Sequence, residues 1–144
     1  MWRRLQNIFY SLRTYADLSP DIQTRQRINR FLRSRSPLSA EEWFEQFWSD
    51  RKIFKQVADF VYTHMSNYSG LEFSRVRPED RLNEDLQFPL VCWFDWQLSL
   101  CEDFFQSFGV DMSDRFDPET LSTIEDLVTY LNHQVLSVNH SNGQ

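Results

Sequence analysis

Glycine and proline are scarce, at 3 and 5 among 144 residues, and runs that alternate apolar with polar residues are few. A turn-dense β fold needs both, so the chain reads as all-α. No run of 18 apolar residues occurs, and the opening "MWRRLQNIFYSLRTYADLS" is interrupted by charge too often for a secretory core, which predicts a cytoplasmic protein. Only 2 cysteines are present. Cys92 and Cys101 fall on what reads as one helix, separated by about 13.5 Å of rise and half a turn, too far for a bond between them. Two such thiols fit a reducing compartment. There is no glycine-rich phosphate loop and no nucleophile elbow. His64, His133 and His140 have no second ligand three or four residues away, so no metal site is predicted. The acidic pairs Glu41/Glu42, Glu84/Asp85 and Glu102/Asp103 are sequence neighbours and do not converge as an acid/base dyad does. Together these absences point away from an enzyme.

What the chain does contain is aromatic surface and divided charge. The 13 Phe, 5 Trp and 5 Tyr supply core area that a disordered chain lacks, and 144 residues suit one domain. Residues 1–37 hold eight arginines against Asp17 and Asp21, 8 − 2 = +6; with −6 overall, residues 38–144 carry −12. The two parts should attract each other, or separate partners of opposite charge.

Helical periodicity recurs along most of the chain. Trp2, Leu5, Ile8, Phe9, Leu12 and Tyr15 form one stripe over residues 2–15, with Arg3, Arg4, Gln6 and Asn7 off it. Ser19 as N-cap and Pro20 at the first helical position predict a second helix to about Arg35, placing Ile22, Ile28, Phe31 and Leu32 inward and Arg25, Arg27, Arg30 and Arg33 around the rest. A Ser39/Glu42 capping box precedes Trp43, Phe44, Phe47 and Trp48. Ile53, Phe54, Val57, Phe60, Val61 and Met65 mark a fourth helix, with Gly70 as its C-cap. Residues 71–86 read as a long ordered loop. An aromatic helix is predicted over residues 90–108, stopped by Gly109; a turn-rich stretch follows, with one short helical turn. A Ser122/Glu125 box then opens the last helix, which holds Ile124, Leu127, Val128, Leu131 and Val135. Residues 137–144 read as a frayed tail.

The joints of the second half, "VRPEDRLNEDL", "FFQSFGVDM" and "TLSTIEDLVTYL", resemble those of acyl carrier proteins, and the plan is similar to small bacterial carrier-like families. The resemblance spans somewhat over half the chain. It implies an acyl-carrier-like helical bundle over residues 53–136, with residues 1–52 as an N-terminal helical extension packed on it. In carriers a serine at the start of the second helix bears phosphopantetheine. Carrier spacing counted from "EDL" puts that position at Leu90, and counted back from "FFQSFGVDM" at Phe94. The two counts differ by four residues, about one extra helical turn. Neither residue has the hydroxyl that attachment needs, so phosphopantetheine is disfavoured and no cofactor is expected.

On a helical projection from Leu90, Asp95, Ser99, Glu102, Asp103 and Gln106 share one polar face, between about 120° and 220°. Ser99 is thus the weak candidate for a displaced attachment site, against the plainer reading of a polar residue on a solvated face. The apolar residues of the same helix cover well over half its circumference, more than one packed face uses. The N-terminal helices, with Trp43, Phe44, Phe47 and Trp48, are expected to cover the surplus; a partner groove is the alternative.

Three functions follow. The first is a non-catalytic protein-interaction module on a degenerate carrier-like fold, its second carrier helix meeting a basic protein partner through Asp95, Glu102 and Asp103, as the resemblance implies. The second is an acyl or peptidyl carrier using Ser99. The third is a polyanion-binding adaptor using the basic patch Arg25, Arg27, Arg30 and Arg33. The acidic remainder of the chain disfavours nucleic acid, and core packing of residues 2–15 is favoured over a membrane surface. The oligomeric state is left open.

Overall fold

The structure is a computed structural model that describes residues 19–142, with side chains to Val138. The helix expected over residues 2–15 and the side chain of His140 lie outside the described residues. Among the described residues there are six α-helices and no strand: α1 (Ile22–Leu32), α2 (Ala40–Phe47), α3 (Lys55–Ser69), α4 (Phe88–Val91), α5 (Trp96–Phe108) and α6 (Ile124–Asn142). The all-α class is as the sequence predicts. No described helix is long and apolar enough to cross a membrane.

The hub is α3, against which α2, α5, α6 and the 3-10 turn Phe73–Arg75 all pack. Val57, Val61 and Met65 are fully buried at that junction. The helix stops where Gly70 takes φ +70°, the left-handed C-cap for which glycine has no Cβ penalty. The Ser39/Glu42 capping box opens α2 as expected, both of its hydrogen bonds being present at 3.1 and 2.9 Å. Trp43 and Trp48 of that segment are wholly buried. Trp43 packs edge-on to Trp48, Tyr62 and Phe73, and its indole N–H donates to the Val76 carbonyl at 2.8 Å.

The loop over residues 71–86 is ordered because it is fastened at both ends. Leu71, Phe73, Val76, Leu82 and Leu86 are buried. Asp80, 4% exposed, takes a two-pronged ion pair from Arg35 at 2.7 and 2.9 Å and the backbone N–H of Arg77 at 2.8 Å. At its other edge the loop caps α6: the N–H groups of Ile124 and Glu125 donate to the carbonyls of Asp80 and Pro78, and Arg81 bridges Thr123. Two of the donors that every helix leaves unpaired in its first turn are thereby satisfied by the loop.

Several expectations are corrected. The cap of α1 is Asp21, which accepts from Thr24 N at 3.1 Å, so Ser19 and Pro20 precede the helix. Of the four apolar residues expected inward on α1, Ile28 and Leu32 are buried, whereas Ile22 and Phe31 are exposed, because the helix packs on one side only. The box before α6 is Thr123 with Asp126, each side chain bonding the other's backbone N–H at 3.1 Å, instead of Ser122 with Glu125; Thr123 is the residue that immediately precedes Ile124. The aromatic helix is not continuous from residue 90 to 108. It starts earlier as the one-turn α4, with Gln87 at φ +53° before it, breaks at residues 92–95, and resumes as α5.

That break has a packing reason. A single straight helix cannot turn apolar groups on opposite faces into one core, and two short ones can. Phe88 and Val91 of α4 are buried together with Trp96, Leu100, Cys101 and Phe104 of α5, the Phe88 and Trp96 rings meeting edge-on at 5.6 Å. Cys92 therefore lies outside the helix that holds Cys101, and the rise-and-rotation argument for their separation does not apply. Both thiols are buried. Burial pushes the Cys92 thiol up to about 12, against an opposing pull from Arg25. Beyond α5, α6 continues to Asn142, through residues assigned to a frayed tail.

Candidate partner-binding face

The break at residues 92–95 dismantles the single polar face projected from Leu90. Asp95 sits at the N-cap position of α5, half-buried; its carbonyl accepts Ser99 N at 3.1 Å, and its side chain makes no capping bond. Ser99 is half-buried in the first turns of α5, with its own carbonyl accepting from the Tyr68 hydroxyl at 3.3 Å. Leu90, at the end of α4, and Phe94, within the break, present hydrocarbon where a carrier's attachment serine is counted to fall.

Glu102 and Asp103 remain together but differ in state. Glu102 is exposed and makes no ion pair or hydrogen bond among the described residues. Asp103 is tied to α3: it accepts a very short hydrogen bond from the Tyr68 hydroxyl and faces His64 Nδ1 at 3.3 Å, while its side chain stays 40% exposed. Burial, then the Asp103 hydrogen bond and charge, hold the Tyr68 hydroxyl well above its ordinary range. His64 is itself stacked on Phe60 at 4.2 Å.

Sequence reasoning missed Asp111. It lies past the Gly109 C-cap and lines, with Cys101, Glu102, Asp103, Phe105 and Gln106, a cleft of about 410 Å³. Hydrogen bonds from the Ser113 hydroxyl at 2.6 Å and backbone N–H at 3.0 Å hold its carboxyl below the usual carboxylate range. The signal was the Asp-Met-Ser spacing, which forms a side-chain turn of the Asx type. Phe105, on the rim of this cleft, is 50% exposed. A second, smaller groove of about 280 Å³ at the α4–α5 break is lined by Phe88, Trp93, Phe94 and Trp96 among others. Chemically, the larger cleft offers three carboxylates around one apolar surface, the complement of a cationic amphipathic segment.

The arginines of α1 do not form one patch. Arg25 points inward, its Nε donating to the Val91 carbonyl at 2.7 Å and its Nη2 to the Tyr68 carbonyl at 3.3 Å. These are carbonyls in the last turns of α4 and α3, so a single guanidinium caps two helices. Its guanidinium comes so close to Gly70 that a Cβ there would lie 2.9 Å from it. Arg33 pairs with Glu72 at 3.0 Å. Only Arg27 and Arg30 of the four are exposed without a hydrogen bond or ion pair among the described residues. No group of three or more His, Cys, Asp or Glu side chains is placed to hold a metal among the described residues.

Comparison with known proteins leaves this geometry to speak alone: no family model, no curated protein and no solved structure matches the chain.

Proposed function

We propose that this protein is a non-catalytic interaction module on a degenerate acyl-carrier-like bundle, and that it meets a basic amphipathic partner through the cleft of α5. The observation that carries this reading is the pairing of an exposed, uncommitted Glu102 with half-exposed Phe105 across a cleft that Asp103 and Asp111 also line. Charge selects and steers such a partner, and the apolar rim supplies contact area. Asp95, half-buried at the N-cap position of α5, lies outside this cleft. The carrier part of the reading rests on the sequence of the joints at residues 76–86, 104–112 and 120–131, which resemble those of acyl carrier proteins. Hydrocarbon at both counted positions disfavours phosphopantetheine attachment.

The test is an NMR titration of the full chain with a synthetic Lys/Leu amphipathic peptide and a Glu/Leu control. Amides of Glu102, Phe105, Gln106 and Asp111 should shift with the cationic peptide only. Glu102→Lys should weaken binding about fivefold, the equivalent of about 1 kcal/mol from one partly exposed charge pair. Equal binding of the acidic peptide, or shifts confined to α1, would refute the assignment. Intact mass after treatment with a phosphopantetheinyl transferase tests the carrier alternative: an added mass lost in Ser99→Ala would replace this reading with that one.

A further inference from the structure

We propose that the basic amphipathic partner of the α5 cleft is the outward face of α1 in a second copy of this chain, so that the protein associates head to tail. The inference rests on the cleft's being a partner site and names what fills it.

The outward face of α1 is set by how the helix is fastened. Arg25 donates to the Val91 and Tyr68 carbonyls, Asn29 bonds the Gly70 carbonyl at 3.0 Å and Glu72 N at 2.9 Å, and Arg33 pairs with Glu72. Spaced four residues apart, these three side chains form one stripe, beside buried Ile28 and Leu32. Arg27 and Arg30 fall on the opposite side of the helix, where both are exposed. Phe31, one turn after Arg27, is 63% exposed, and the Arg35 guanidinium lies 5.6 Å from its ring centre. The anchors turn this side of α1 away from the body of its own molecule, so whatever it contacts comes from outside.

The two surfaces are complementary in charge and in kind. On α1 an exposed ring stands with two cations within one turn. On α5 half-exposed Phe105 stands one turn after the uncommitted Glu102, and Asp103 and Asp111 line the same cleft. An amphipathic helix seats itself in a groove by setting its apolar side chain on the apolar surface and pairing charge at the rim. Each molecule supplies both halves, so the two are always present at equal concentration. Because two different patches meet, the contact is heterologous and extends into a ring or an open chain of copies instead of stopping at a symmetric pair.

Sedimentation velocity of the full chain tests this. The wild type should sediment faster as its concentration rises. Arg27→Glu with Arg30→Glu spoils the α1 face, and Glu102→Gln with Phe105→Ser spoils the cleft. Arg27, Arg30 and Glu102 make no hydrogen bond or ion pair among the described residues and Phe105 is half-exposed, so both variants should keep the amide dispersion of the wild-type NMR spectrum. Each alone should stay monomeric, and an equimolar mixture should form a two-chain species and nothing larger, since one sound pair of surfaces remains. A wild type that stays monomeric up to about 1 mM, a variant that associates alone as the wild type does, or a mixture that stays monomeric overturns the inference. The milder single changes Arg30→Gln and Glu102→Gln should each weaken association about threefold, and no weakening by either overturns it as well. The Lys/Leu peptide, titrated into the monomeric α1 variant, separates the two readings. Peptide binding without a two-chain species in the mixture leaves the cleft a partner site and removes the second copy, whereas failure of both refutes both. A two-chain species without peptide binding keeps the second copy and removes the wider affinity for basic peptides.

Discussion

The cationic helix and the acidic helix of this protein use their charges in opposite ways. On α1 and the turn after it, Arg25 caps the ends of α3 and α4, Arg35 neutralises the buried Asp80, and Arg33 reaches Glu72. On α5 and just beyond it, Glu102 is uncommitted, Asp111 bonds only to its own turn among the described residues, and Asp103 is shared between α3 and solvent. The difference follows from donor geometry. A guanidinium carries five donors in a rigid fork and can satisfy several carbonyls at once, whereas a carboxylate needs donors brought to it, and a helix middle has none to spare. In these two regions Arg25, Arg33 and Arg35 have become architecture, while Glu102 and Asp111 are left at the surface.

This contrast can be broken by mutation, most severely at Arg35. Arg35→Ala leaves the Asp80 carboxylate buried without its counter-charge and should cost about 3 kcal/mol in urea unfolding. A loss under about 1 kcal/mol would put Arg35 among ordinary surface charges. Arg25→Ala strips the carbonyls at two helix ends of their donor and should cost about 2 kcal/mol; Arg25→Lys should recover less than half, because an ammonium lacks the fork that spans both carbonyls.

Tyr68 sharpens the comparison at the junction of the two regions. Its hydroxyl is raised above the ordinary 10.0 by burial first and then by Asp103. A group raised in the folded state contributes in full below its unfolded value, and that contribution drains away as pH climbs past it. The urea midpoint should therefore fall above about pH 10, and Tyr68→Phe should flatten the fall while losing about 1 kcal/mol at neutral pH. Cys92 should stay unalkylated by iodoacetamide at pH 8 until urea exposes it. The smallest effects belong to the surface: Arg27→Ala and Glu102→Ala should each move stability by no more than about 0.5 kcal/mol, and only the latter should weaken binding of the cationic peptide.

Elements whose signals lie within four or five residues were legible in the chain. The Ser39/Glu42 box, the Gly70 and Gly109 stops and the apolar stripe of α3 from Val57 to Met65 are local patterns, and each appears where it was read, although Ile53 and Phe54, read onto the same stripe, precede the helix. The caps of α1 and α6 were misplaced by two residues and one residue, because Ser19, Asp21, Ser122 and Thr123 are all competent caps and only packing selects among them. The α4–α5 break was invisible for a different reason: a segment apolar on nearly every side has no phase for an interruption to disturb. Of the candidate residues, Glu102 kept the exposure its pattern implied, whereas Asp103 and Arg25 were drawn inward by partners 35 and 66 residues distant in sequence.

By itself, then, the order of residues determined the helical class, most of the helix stops and the division of charge, since each depends on side-chain type and short-range spacing. Which charges became internal fastenings, and which carboxylates came together around Phe105, was decided only by tertiary packing. A carbonyl freed at a helix end or a carboxylate buried by a folded loop exists as a partner only once distant segments have met.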